Sequence, residues 1–188
     1  LMVLAFWPIA PLARIGGWLL LALLLWSLRL AHYLRYRARR DADPATVLAW
    51  RNSWRALVLM QGAMWPLAVW LFWGMGFTFH TVALVLIAMS YALGPVQLLA
   101  AQPTLFIAFT SIVLLPIIVR VATDTAEAWH WQLALVLGLL FLITLLLGRT
   151  YRDALAQAIV LKQRTEHLAE QLKLEKAAAD EARRVAET

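Results

Sequence analysis

Long apolar runs separated by short polar breaks dominate the first 150 residues. A bilayer is crossed by a helix of about 20 mainly apolar residues. Five stretches reach that length class: 15–34, 56–73, 81–99, 105–121 and 132–147. Residues 1–9 are apolar but too short to span, and they read as the last turns of a further helix that starts upstream. After Tyr151 the period changes. Tyr151, Ala158, Thr165, Leu172, Ala179 and Ala186 fall on one heptad position, and Ala154, Leu161, Leu168, Glu175 and Ala182 on the other. Charged residues fill the flanks and neither Pro nor Gly interrupts 151–188. The pattern predicts one helix growing out of the last apolar stretch. Its seam is mostly Ala, which predicts a weak parallel two-stranded coiled coil, since strong ones carry Leu, Ile or Val there; a lone solvated helix is the alternative.

Composition agrees with this reading and removes others. The chain has 188 residues, of which 63% are hydrophobic and 15% charged, with a mean hydropathy of +0.72. Soluble domains carry about 25% charge, so an ordinary soluble enzyme is excluded. Disorder is excluded by the same apolar content. With no cysteine, a disulfide framework, a thiolate metal site and a thiol nucleophile are all ruled out. The expected fold class is an all-α membrane protein. It comprises five complete transmembrane helices plus the end of a sixth, divided into a bundle at 1–150 and a cytoplasmic signalling helix at 151–188.

The formal charge of +6 sits wholly in residues 1–150, because the tail carries 7 basic and 7 acidic residues. Arg35, Arg37, Arg39, Arg40, Arg51 and Arg55 crowd one link, against Asp41 and Asp43. Short loops rich in Arg stay cytoplasmic, so this link faces the cytoplasm. Alternation then puts 74–80 outside, 95–103 inside and 123–131 outside, with Asp124 and Glu127 on the outer side. Arg149 and Arg152 mark a cytoplasmic exit. The arginines border apolar runs, which is a topology signal, and nucleic acid is not an expected partner. Membrane lipids are.

Few residues promise chemistry. Arg29 lies one to two turns from Arg35 and is expected to snorkel to the headgroups. Trp18, Trp50, Trp54, Trp73, Trp129 and Trp131 fall near expected interfaces and read as anchors, while Trp65 and Trp70 fall well inside. His32, His80, His130 and His167 have no neighbour at metal-ligand spacing, and no Gly-rich phosphate loop or hydrolase motif occurs. No acid or base is expected at the bilayer centre, which argues against a proton relay or pump. Arg120 is the deepest outer charge and stands four residues from Asp124, close enough to pair along a helix.

Mild polarity and aromatics remain. Gln61, Trp65, Ser90, Tyr91, Gln97, Gln102, Thr110 and Ser111 are candidates for the bundle interior. Gln61 and Trp65 share a helix face, and Pro66 and Pro116 can kink their helices and open space. Two readings stay open. These groups are helix–helix glue, or they line a pocket for a small hydrophobic ligand whose candidate residues are Gln61, Trp65, Trp70, His80, Ser90, Tyr91, Thr110 and Arg120.

The order of features resembles a known family. A basic link is followed by Trp50-Arg51-x-x-Trp54-Arg55, Gly62 with Trp65-Pro66, Gly94-Pro95 and 115–120 (LPIIVR). The last helix then runs into a tail whose residues 164–182 are the closest match. This resembles the N-terminal multi-helix sensor region of bacterial sensor histidine kinases, especially hybrid ones. Similar regions also precede diguanylate cyclases. The resemblance implies a homodimer through the tail, a two-component phosphorelay with a receiver domain as partner, an inner-membrane location and a cytoplasmic C-terminus. It also implies ATP and magnesium in a kinase core outside this chain, with no cofactor and no catalytic residue within it. His167 is not in a phosphoacceptor context. Arg149, Tyr151, Leu161, Leu168 and Leu172 are the expected signal-transmission positions. A small transporter and a membrane scaffold are the rivals; a transporter predicts inverted repeats and mid-bilayer polar groups.

Overall fold

The structure, a computed structural model, describes residues 2–38, 43–125 and 128–187, with side chains through residue 176. Seven helices organise them: α1 (Met2–Phe6), α2 (Leu12–Ala38), α3 (Pro44–Phe72), α4 (Thr78–Leu93), α5 (Val96–Leu99), α6 (Pro103–Ala122) and α7 (His130–Glu187). No strand occurs among the described residues. Arg39, Arg40, Asp41 and Glu127 lie outside the described residues, as do the side chains of Ala179, Ala182 and Ala186.

Five segments are long and apolar enough to cross a membrane: α2, α3, α4 with α5, α6, and α7 as far as Lys176. Their starts and breaks follow from local chemistry. Pro44 and Pro103 open α3 and α6, where a missing N–H costs nothing. Gly94-Pro95 interrupts what the sequence reads as one stretch, leaving α5 as a single turn after α4. Pro66 and Pro116 sit inside α3 and α6, and both helices continue through them. The reversal between α3 and α4 depends on Gly74 and Gly76, with φ of +72° and +80°, a region closed to most side chains. Residues 1–9, expected to be a helix end, are helical over Met2–Phe6. Phe6 is buried there against the rings of Phe72 and His80, at 5.2 and 5.9 Å.

The contacts fall into two units, Leu1–Gly148 and Arg149–Thr188. In the first, α3 is the hub and packs against α2, α4 and, most extensively, α6. The core is made by Ala68, Val69 and Phe72 of α3, Leu84 and Ala88 of α4, and Phe109, Val113, Leu114 and Ile117 of α6. Gly62 permits the α3–α6 approach: a Cβ there would stand 2.9 Å from Phe109 Cε2 and 3.3 Å from Val113 Cγ2. α7 offers the bundle one face, with Leu137, Thr144 and Gly148 buried and Leu139, Leu142, Ile143 and Leu146 exposed. α2 likewise buries only Ile15 and Leu25 and exposes Leu20, Leu23, Leu24 and Trp26.

The helices alternate in direction. Arg55 Nε, about three turns into α3, donates to Gln102 Oε1 at the entry of α6 at 3.0 Å, on the side of the arginine-rich link. At the opposite end Trp73 Nε1 donates to Asp124 Oδ2 at 2.7 Å, and Arg14 Nη1 reaches Met75 Sδ at 3.9 Å.

The second unit is helical from Arg149 to Glu187 as part of α7. Lys162 and Glu166 form an i,i+4 ion pair at 3.7 Å, and Arg152 pairs with Asp153 at 3.3 Å. Leu161, Leu168 and Leu172 are 66%, 64% and 68% exposed in the single chain.

Candidate functional site

Positions 54, 58, 61 and 65 repeat at i, i+4, i+7 and i+11, so they stack on one face of α3. That stripe reads Trp54, Val58, Gln61 and Trp65. Across from it, Gly94 and Pro95 keep right-handed helical backbone angles where α4 passes into α5, and both face the same space. That space is a cleft of about 400 Å³ at the arginine-rich end, walled by Trp54, Val58, Leu98, Leu99 and Phe109 and carrying Arg29, Gln61, Ser90 and Tyr91.

Arg29 makes a contact that the sequence did not predict. Its Nη1 donates to Gln61 Oε1 at 2.7 Å, and the side chain is half-buried on the cleft wall. A guanidinium leaving bulk water needs acceptors, and the Gln61 amide one helix away offers one. No carboxylate pairs with Arg29 among the described residues. The local charge is therefore one uncompensated cation beside a neutral amide.

An aromatic chain lies above the cation. Trp18 meets Trp65 edge-on at 5.9 Å, Trp65 lies 4.7 Å from Tyr91, and Tyr91 lies 6.0 Å from Phe109. Trp18 also donates Nε1 to the Met64 carbonyl at 3.3 Å. Trp18 and Trp54, expected to be interface anchors, are half-buried, Trp18 against α3 and Trp54 on the cleft wall. Trp50 packs edge-on against Tyr36 at 5.5 Å and, with His32, Tyr33 and Arg51, lines a second, aromatic cleft between α2 and α3.

The residues expected to form one pocket divide into three places. Gln61, Ser90 and Tyr91 line the cleft, and Trp65 adjoins it through Tyr91. Ser90 turns its hydroxyl back to the Leu86 carbonyl at 2.8 Å. Thr110 is fully buried in the core, and its Oγ1 has no hydrogen-bond partner. Trp70, His80 and Arg120 are at the opposite end. His80 Nδ1 accepts from the Phe77 backbone N–H at 3.2 Å and so caps α4. The Arg120 guanidinium lies 5.4 Å from the Trp70 ring centre and 4.8 Å from that of Trp73. Asp124, expected as a partner of Arg120, accepts from Trp73. Trp73, Asp124, Trp129 and His130 also line a small cavity of about 150 Å³ there. Of the other polar candidates, Gln102 accepts from Arg55, Ser111 is half-buried and Gln97 is exposed.

Sequence reasoning missed Arg29, Trp54, Phe109 and the Gly94-Pro95 break as parts of the site. One signal was available: Arg29 is the only cation between Arg14 and Arg35, within an apolar run too long for its charge to be incidental.

Comparison with known proteins gives no match to a family model, a curated protein or a solved structure. The chemistry of the cleft therefore has to be read from its own groups. Apolar walls with a few convergent polar groups are the ordinary make-up of a ligand site, and the arrangement is suited to binding.

Proposed function

We propose that the chain is the membrane input module of a bacterial sensor histidine kinase, passing a membrane-borne signal through its last helix to a downstream autokinase. The observation that carries this reading is the seating of Gly148 on Phe106. The Phe106 ring of α6 lies so close to the Gly148 backbone of α7 that a side-chain Cβ would overlap it. Phe106 is one helical turn from Phe109, which walls the cleft. A change in the cleft thus has a short packed route to α7, and α7 is one helix from His130 to Glu187.

The lipid-facing setting fits the exposed leucines of α2 and α7. In water such faces are association sites, whereas in lipid they cost nothing. Apolar burial does not drive helices together in lipid, so close packing does, and Gly62 and Gly148 supply it. Positive-inside logic puts the arginine-rich end in the cytoplasm. The tail, resembling the helix ahead of a kinase dimerisation domain, would pair with a second copy through Leu161, Leu168 and Leu172. A weak seam suits a switch, because its two packings differ by only a few kcal/mol.

Insertions test the mechanism in the full-length kinase. One residue added between Arg152 and Gln157 rotates the downstream helix by about 100°, while seven restore the heptad register. The one-residue insertion is expected to alter autophosphorylation strongly and the seven-residue insertion little. Equal output from both would refute a rigid helical relay.

A further inference from the structure

We propose that the cleft seats a single-chain anionic amphiphile, with its carboxylate on Arg29 and Gln61 and its chain along Trp54, Val58, Leu99 and Phe109. The proposal names the ligand class of the site described above. It rests on the input-module reading for the ligand's consequence but not for its binding.

Three observations converge. First, an Arg fork offers five N–H donors, and Gln61 engages Arg29 through one of its nitrogens. The remaining donors meet no protein acceptor among the described residues, and no carboxylate neutralises the charge. A bidentate carboxylate satisfies both needs at once. Gln61 adds an amide N–H₂ group, a second donor next to the cation.

Second, the walls are apolar and aromatic, and the cleft of about 400 Å³ lies at the small end of ligand sites. That is room for one head and the upper part of one chain, not for the paired chains of a phospholipid.

Third, the depth is wrong for a lipid phosphate. α2 has 27 residues, about 40 Å at ~1.5 Å per residue, against a hydrocarbon core of about 30 Å. Arg29 lies nine residues before the end of α2 at Ala38, about 13 Å along the axis. The cation therefore sits below the headgroup plane, within reach of a small carboxylate drawn down from the leaflet.

The test uses the whole chain in nanodiscs of phosphatidylcholine. Palmitate brominated on its chain quenches tryptophan fluorescence where it binds, and the Trp54→Phe variant identifies the share owed to Trp54. Saturable quenching is expected, with the Trp54 share lost in that variant. Arg29→Gln should weaken it about tenfold or more, the effect of losing a charge-assisted bidentate contact. Arg14→Gln, at the opposite end, should leave it unchanged. Because Arg29→Gln could unfold the bundle, Gln61→Glu serves as a second variant. It keeps the side-chain volume, places an internal carboxylate beside Arg29 and should also block palmitate at least tenfold. Unchanged affinity in Gln61→Glu overturns the proposal. So does equal quenching by brominated hexadecanol, which lacks the charge, or quenching by chain-brominated phosphatidylglycerol in place of palmitate. Binding with these features but without any change in kinase output would instead defeat the input-module reading and leave the ligand class standing.

Discussion

The ring of Phe106 lies against the backbone of Gly148, with Cδ1 2.9 Å from where a Cβ would stand. This contact ties α6 to α7 within the first unit at the last residue assigned to it. Gly148 is in a helix interior, where Gly is less favourable than Ala by about 1 kcal/mol. Propensity alone therefore predicts that Ala would stabilise α7. Contact predicts the reverse, because the buried Phe106 ring would have to shift to admit the methyl group.

Gly148→Ala is accordingly expected to lower the thermal midpoint, by an overpacking cost of about 1–3 kcal/mol less the propensity gain. Gly138 supplies the control in the same helix, since a Cβ there meets nothing within 4 Å. Gly138→Ala should hold or raise the midpoint. Thermal unfolding of both variants in the same lipid or detergent decides between the two effects. Two upward shifts would mean that the Phe106 contact carries no weight.

Gly62 presents the same choice between α3 and α6. Its Cβ would press on the Phe109 ring at 2.9 and 3.0 Å and on Val113 at 3.3 Å. Gly62→Ala is expected to destabilise by about 1–3 kcal/mol. Trimming the obstacle with Phe109→Leu should recover part of that loss, because residues in direct contact couple by about 0.5 kcal/mol or more. A double-mutant cycle on thermal unfolding measures the coupling, and strict additivity would rule out the close approach.

The sequence made the helices legible because each apolar run is long and bounded by Arg, Pro or Gly. Gly94-Pro95 was also present as a motif, yet its place on a cleft depends on which helices face it. That information is tertiary. Arg29 shows the same limit from the other side. Its partner Gln61 stands on the neighbouring helix, and sequence spacing does not say which side chains meet across two helices. Trp70, His80 and Arg120 were grouped with Gln61 and Tyr91 by residue type. The alternation of loops already put 74–80 and Arg120 on one side and 95–103 on the other, so grouping by residue type set aside a separation that the topology contained.

At the start of α3, the Thr46 hydroxyl donates to Asp43 Oδ1, and this bond holds the Asp43 carboxyl below its ordinary value of 3.8. A depressed folded value means that the stabilising contribution is present above the ordinary carboxylate range. It is lost as pH falls through the lowered one. Thr46→Val removes the donor and should move the Asp43 titration up toward 3.8. Carboxyl-carbon NMR of Asp43 reads this directly. Identical titrations in both proteins would show that the hydroxyl is not the cause.

The far end of α3 makes a prediction that separates the two ends of the bundle. Arg120 lies over Trp73 at 4.8 Å and over Trp70 at 5.4 Å, while Trp73 Nε1 donates to Asp124 and Trp70 Nε1 donates to the Pro116 carbonyl at 3.3 Å. A cation over an indole face contributes about 0.5–1 kcal/mol when exposed and more when dry. Arg120→Gln should therefore lower the thermal midpoint. Arg120→Lys should lower it less, since it keeps the charge but loses the flat stacking of the guanidinium. Because this clamp is remote from Arg29, neither variant should shift quenching by brominated palmitate. A matching loss of binding in Arg120→Gln would mean that the two ends act as one site, the single pocket that residue type alone had grouped together.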